Sequence, residues 1–575
     1  MDATSSDPTD TANSSDRSGA DAVGAAAPMD TMLAEAGTTL GRWLPGRAGL
    51  RFAAALARTP APAARLAGDT VAELARIAVG RSEITWDRRD KRFADEAWTG
   101  NPVLHRIAQA YLAAGGAAER LVEELPLDWR TEQRIRFLTE NVVEALAPTN
   151  TALLNPAAWK AAIDSGGTTL TRGAAAMVRD LAKAPRVPRM VEPDAFAVGR
   201  DLAMTPGSVV FRNPLIELIE YAPQTEQVRE VPLLIVPPTI NKFYVVDLSP
   251  GRSLVEHLVQ AGQHVFMVSW RNPRSEGAEW GADAYAEAIV EALDAVEKIS
   301  GSPKTALLAL CSGGMLTSML VAHLAATGQQ HRIAALSLLV TVLDQHHAGT
   351  PGALSDRRAS EASTARSERK GYLDGAALAE VFAWLRPRDL VWNYWVNNYL
   401  LGKPPPAFDI LSWNADTTRM PAKLHHDFIA LAQDNLLTKP GAATLCGSPV
   451  DLSQIDVDSY VVAGVADHLC PWQNCYQTTR LLGGTTRFVL STSGHIAAIV
   501  NPPGNEKASF HAGEFAPDDA EKWLENAEKQ KGSWWTDYTD WLAARTGARR
   551  DAPAEPGLNG FEPLADAPGT YVLER

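Results

Sequence analysis

Cys311 and Ser312 stand side by side where an apolar run, TALLALC (305–311), gives way to Gly313 and Gly314. A thiol or hydroxyl displayed on such a turn can attack a carbonyl carbon. It needs a base to take its proton and N–H groups to receive the oxyanion. Two later stretches could supply the remaining groups. SYVVAGVADHLCPW (459–472) ends an apolar run at Asp467, and RFVLSTSGHIAAIVNPP (487–503) reaches His495 through a Ser-Gly turn. Nucleophile, acid and histidine in this chain order match a triad carried on a strand–turn–helix elbow.

Steric demands choose between the two nucleophiles. The residues two before and two after the attacking residue must be small, because the strand turns at once into a helix. For Cys311 these are Ala309 and Gly313; for Ser312 the preceding one is Leu310, which is bulky. Cys311 is therefore the expected nucleophile, with the thiolate as its reactive form. Gly314 would let the helix approach the strand closely. Ser312, following the nucleophile, is expected to give a backbone N–H to the oxyanion hole. His468 is the rival base, but it adjoins Asp467 and would have to fold back to face it. The pairs His346–His347 and His425–His426 lack metal-ligand spacing with nearby partners and read as structural or solvated. No metal site is expected.

These residues need elements to hold them. VPLLIVPP (231–238), HVFMVSW (264–270), TALLALC, ALSLLVTVL (335–343) and SYVVAGVAD (459–467) are short, nearly unbroken apolar runs. Such runs suit strands buried on both faces of a parallel sheet. Helical patterns separate them; Tyr285, Ile289, Leu293 and Val296 recur at helical spacing. The expected class is α/β, with an α/β-hydrolase fold over residues 205–575. A stretch rich in Trp, Tyr, Asn and Pro, about 345–445, interrupts the rhythm and reads as a lid or cap insertion, mobile or rigid. Upstream, residues 29–204 read as a mostly helical domain. Ile135, Leu138, Val142 and Leu146 make one helical face there, and Val71, Leu74, Ala75 and Ala78 another. Residues 40–80 are rich in Ala, Leu and Arg. That suits either ordinary packing or a contact with an apolar surface.

The bulk properties exclude several classes. A formal charge of −14 argues against a general nucleic-acid binder. The four cysteines, Cys311, Cys446, Cys470 and Cys475, form no C-x-x-C pair and read as thiols in a reducing cytoplasm. Residues 1–28 are acidic and hydroxyl-rich, which predicts a disordered leader rather than a signal peptide. No apolar run of about 18 residues occurs, so no transmembrane segment is expected.

Longer blocks carry a resemblance. DKRFADEAWTGNP (90–102), APTNTALLNP (147–156), GRDLAMTPGSVVFRN (199–213), PPTINKFYVVDLSP (237–250), FMVSWRNP (266–273), LVWNYWVNNYLLGKPPPAFDILSWNADTTRMP (390–421), DHLCPW (467–472) and SGHIAAIVNPP (493–503) resemble the polyhydroxyalkanoate (bacterial polyester) synthases. The likeness spans roughly residues 85–575 and is to the long single-subunit form, class I or class II. It implies polymerisation of a (R)-3-hydroxyacyl-CoA with release of CoA and no separate cofactor. It assigns the acyl carrier to Cys311, the base to His495 and the third member to Asp467, acting through His495 or directly on the attacking hydroxyl. It adds Ile240 as a second oxyanion donor, a homodimer, and attachment of a cytoplasmic protein to polyester granules. The family elbow usually opens with glycine; this chain has Ala309. Lys242, Arg252 and Arg271 are candidate contacts for anionic CoA. The rival readings are a cysteine-triad hydrolase (thioesterase or polyester depolymerase) and a granule-bound structural protein with a dead site.

Overall fold

A computed structural model describes residues 46–575, apart from 193, 355–356, 468 and 515–517. The expected leader (1–28), residues 29–45 and the rival base His468 lie outside the described residues.

Between Gly46 and Leu181 the described chain forms helices joined by short loops. Side-chain caps start several of them. Asn101 Oδ1 accepts from the amides of Val103 and Leu104 at the head of Pro102–Glu124, with proline at the first helical position. Asp128 caps Trp129–Ala145 in the same way. The predicted apolar faces are only partly buried. Ile135 is buried, but Val142, Leu146 and Val71 are exposed. The periodicity located the helices and not the side they bury, because a thin helical layer lacks the material to cover both faces.

The sheet begins at Gly207. Its eleven strands are β1 (Gly207–Arg212), β2 (Ile216–Tyr221), β3 (Leu233–Val236), β4 (Val265–Trp270), β5 (Thr305–Leu310), β6 (Ile333–Leu339), β7 (Ser459–Gly464), β8 (Thr486–Ser491), β9 (Ser509–Gly513), β10 (Glu528–Lys531) and β11 (Ala565–Asp566). Their spatial order is β10-β9-β8-β7-β6-β5-β3-β4-β2-β1-β11. The central run from β4 to β8 is parallel, and both flanks are antiparallel. Every residue of β3, β4, β5 and β7 is buried. That explains the unbroken apolar runs: helices cover both faces, so no position is free for polar residues. Each fully buried Leu or Ile there contributes about 1.5–3 kcal/mol. The order is that of an α/β hydrolase, whose parallel strands present their C-terminal ends on one edge.

The insertion leaves the sheet after β6 and returns at β7. Within it run helices Arg357–Lys370, Gly375–Leu385, Asp409–Ala415 and Ala422–Gln433, with two π-helical turns, Arg388–Trp392 and Trp395–Leu400. It is clamped from two sides. On the sheet side, Trp413 Nε1 donates to the Lys242 carbonyl (2.8 Å) and Tyr244 OH to Asp416 (2.9 Å). On the other side, buried Glu144 of the N-terminal helices pairs with Arg92 (3.0 Å) and with Arg388 of the insertion (2.5 Å). Trp395 Nε1 donates to the Asn150 carbonyl (3.1 Å) and Tyr399 OH to Asp180 (3.2 Å). Among the described residues no helix is long and apolar enough to cross a membrane.

Candidate active site

The end of β5 turns directly into the helix Cys311–Ala326. Cys311 sits at the turn with φ +48°, the left-handed region that a side chain rarely adopts. Strain of this kind persists only where packing over-determines it, and it points the thiol out of the strand end. The smallness expected on either side is real. A Cβ on Gly313 would lie 2.3 Å from the Pro237 carbonyl oxygen, and one on Gly314 would lie 2.1 Å from Thr341 Oγ1. Ala309 fits, fully buried and in register with Val236 and Leu338. Gly313→Ala is expected to force the elbow from β3, lowering stability by about 1–3 kcal/mol in denaturant unfolding and removing activity. Unchanged stability would show the close approach to be slack.

Ser312 is engaged by other partners. Its buried Oγ accepts from the Thr239 amide (2.8 Å) and lies 3.1 Å from the Thr239 hydroxyl, so it ties the elbow to the loop after β3. Ile240 follows directly on that loop and is buried. The Ser312 N–H points at the Cys311 sulfur.

The β7 and β8 ends bring up the other two residues. His495 opens a short helix, and its Nδ1 lies 2.6 Å from Asp467 Oδ2. Asp467 Oδ1 accepts from the amides of Leu469 and Cys470, both at 2.9 Å. The carboxylate is thus held on both oxygens, and the other ring nitrogen of His495 is left for Cys311. Asp467 and His495 are buried, and Cys311 is the half-buried residue of the three.

The electrostatics follow from this packing. A hydrogen bond from Cys470 lowers the Cys311 thiol most. Burial opposes it, and the hydrogen bond and charge of His495 add to it, with a result of about 5. Burial works against charge on His495, but the Asp467 carboxylate and the Cys311 sulfur outweigh it and raise the imidazole to about 10. Both directions favour a thiolate on Cys311 beside a charged His495.

Cys470 was legible only as a buried thiol. Its sulfur, an Asp467 oxygen and a His495 ring nitrogen lie within 4.8 Å of one another, a group that could hold a thiophilic ion. Other candidates are engaged elsewhere. Lys242 is buried and donates to the Glu574 carbonyl (2.8 Å); Arg252 pairs with Asp409 (2.5 Å) and Arg271 with Glu574 (3.1 Å). All three serve as ties between segments. His425 is buried against Ser367 Oγ (2.7 Å), and His347 stacks on Trp129, so these histidines are structural.

Comparison with known proteins places the chain. A family model described as the poly-beta-hydroxybutyrate polymerase (PhaC) N-terminus matches residues 89–258, and the alpha/beta hydrolase fold model matches residues 232–502. Poly(3-hydroxyalkanoate) polymerase 2 of Ectopseudomonas oleovorans is 46% identical, over 88% of this chain and 90% of its own. The chain belongs to the poly(3-hydroxyalkanoate) polymerases. A polymerase subunit PhaC of Cupriavidus necator is 40% identical over 86% of this chain and 85% of its own. Among solved structures, mouse alpha/beta hydrolase domain-containing protein 10 is 16% identical, covering 51% of this chain and 93% of its own, with a TM-score of 0.29. The geometry of the chain brings its predicted side chains together. Cys311 and His495 face each other, Asp467 stands behind His495, and Ser312 and Thr239 lock the loop that bears Ile240.

Proposed function

We propose that this chain polymerises (R)-3-hydroxyacyl-CoA into polyhydroxyalkanoate and releases CoA, as an acyltransferase that holds the growing acyl group as a thioester on Cys311. The observation that carries the reading is Cys311, at the strained elbow, beside the buried His495–Asp467 couple, in a chain of this family. We read residues 205–575 as the catalytic domain, about 345–445 as its lid, and 29–204 as a helical N-terminal domain.

The steps balance on these residues alone. The Cys311 thiolate attacks the substrate thioester carbonyl. Amides of Ser312 and Ile240 receive the oxyanion. Collapse expels the CoA thiolate, which takes the proton of His495 and leaves as CoA thiol. The imidazole is now neutral, because its anionic partner has become a thioester. It can accept the proton of an incoming 3-hydroxyl, and the alkoxide attacks the acyl-Cys311 carbonyl. The second collapse forms the oxoester and restores the thiolate–imidazolium pair. Asp467 acts through His495 in this scheme: Nδ1 and two amides already occupy its oxygens.

Sulfur suits the task. Thioester-to-thioester exchange keeps the acyl group activated, so the step to an oxoester runs downhill. Water is the competing nucleophile, and the aromatic insertion above the oxyanion loop is placed to exclude it. No cofactor or metal is required. The test supplies (R)-3-hydroxyacyl-CoAs of several lengths and follows CoA release and product. Polymer is expected; free hydroxy acid in amounts matching the CoA would mark a hydrolase instead.

We further propose that the exposed apolar residues of the first helices, among them Leu50, Val71 and Val79, meet the polyester granule, and that the chain forms a homodimer. Deleting residues 1–85 is expected to shift the protein from sedimenting granules to the supernatant. Unchanged attachment refutes the granule contact.

A further inference from the structure

Coenzyme A carries its thiol on a long flexible arm, with an adenosine 3′,5′-bisphosphate at the far end. An acyl-CoA enzyme therefore needs cations set apart from its nucleophile. Lys242, Arg252 and Arg271 are tied to other segments and leave that need unmet. The loop after β6 leads to a place that meets it. It leaves the elbow at Thr341, whose hydroxyl lies 3.5 Å from the Cys311 carbonyl, and soon reaches His346. From the other side Asn474, on the short helix Trp472–Tyr476, donates to the carbonyls of Asp344 (3.0 Å) and His346 (2.8 Å). The loop thus hangs between the nucleophile and acid ends of the site. It walls one side of a cavity of about 550 Å³. Trp129 and Arg130 of the N-terminal helices and Arg357 and Gln433 of the insertion wall the rest.

The lining divides by chemistry. Trp129, His347 and His346 form one ring stack, with centroids 4.5 Å and 4.0 Å apart and planes 24° and 25° from parallel. His346 is exposed and ends the stack. Gln345 Oε1 and Gln433 Nε2 have no hydrogen-bond partner among the described residues, and a turn of either amide presents it to the cavity. An open acceptor and an open donor beside a ring stack suit a purine. Its face stacks, and its edge offers both kinds of group. Arg130 and Arg357 supply positive charge. Arg357 holds an exposed partner, Asp434 (3.4 Å), that a phosphate can replace. The acid on the lining, Asp128, is occupied as a helix cap by the Thr131 amide (3.1 Å) and hydroxyl (2.6 Å). We propose that this cavity takes the adenosine 3′,5′-bisphosphate end of the acyl-CoA, with the base on the His346 ring and the phosphates on Arg130 and Arg357. The N-terminal helices then share in substrate binding as well as in packing.

This inference rests on the reading that the substrate is an acyl-CoA. The test compares (R)-3-hydroxyacyl-CoA with (R)-3-hydroxyacyl-pantetheine, which keeps the thioester and lacks the nucleotide. The wild type is expected to favour the CoA substrate in kcat/KM, chiefly through KM. In Arg130→Ala/Arg357→Ala, and separately in His346→Ala/Gln433→Leu, that preference is expected to fall by about tenfold or more. Inhibition by adenosine 3′,5′-bisphosphate should weaken in step. Both substrates meet the same Cys311, so a variant that merely folds poorly loses on both and leaves the ratio alone. Arg172→Ala, which removes an exposed charge from another helix, is expected to keep the preference. A preference that both double variants retain overturns the proposal. So does a wild type that uses the two thioesters equally well, or an equal fall in Arg172→Ala. A wild type that releases no CoA from the acyl-CoA overturns the functional reading, and this proposal with it.

Discussion

Cys311→Ala is expected to lower CoA release from (R)-3-hydroxyacyl-CoA by on the order of 10⁴–10⁶-fold, with no polymer formed. The elbow should survive the change, because alanine is smaller and β5 and its helix keep their packing; an unchanged unfolding midpoint checks this. The size follows from the site: the only other nucleophile on the turn, Ser312, has its hydroxyl bonded to Thr239. Retained polymerisation would end the assignment of Cys311. Cys311→Ser is the sharper probe of why sulfur is present. A serine hydroxyl gains no resting ion pair with His495, and any acyl group it accepts sits in an oxoester. The second transfer then has no downhill step. Loss of polymer together with a slowly accumulating acyl adduct on residue 311 is the expected pattern, visible by intact mass.

How much of this was legible beforehand depends on how each residue's environment writes itself into sequence. The parallel strands β3 to β7 were readable because burial on both faces leaves only apolar residues. The antiparallel strands β1 and β2 were not. Glu217 and Glu220 are buried in β2, paired with Arg212 and His264, and they break the pattern that marks a core strand. The edge strand β10, EKQK, carries no apolar residue at all. The elbow was legible because its sterics forbid large residues at fixed offsets, and Asp467 and His495 because each ends or follows an apolar strand. Cys470 was legible only in hindsight. It lies three residues after the acid, the reach of one tight turn, but nothing local shows whether its side chain turns inward. The paired roles of Lys242 and Arg271 depend on Glu574, more than 300 residues away, and no local pattern reports such a contact.

Asp467→Asn separates the two roles open to that carboxylate. The two amides on Oδ1 hold one side of the group, so an asparagine that keeps them turns its NH₂ toward His495 Nδ1. The imidazole must then carry its proton on Nε2, where it cannot receive one from Cys311 or from a hydroxyl. A loss of about 10²–10⁴-fold in kcat/KM is expected. The pH profile carries the mechanism. In the wild type the thiolate forms above about 5 and the imidazolium persists to about 10, so acylation should run on a broad plateau between those limits. Asp467 raises the imidazole, so its removal moves the alkaline limb down. A weaker cation then holds the Cys311 thiolate less well, so the acid limb moves up. The plateau should therefore narrow from both ends. A uniform drop at every pH, with both limbs in place, would mean that Asp467 acts on the hydroxyl and not through His495.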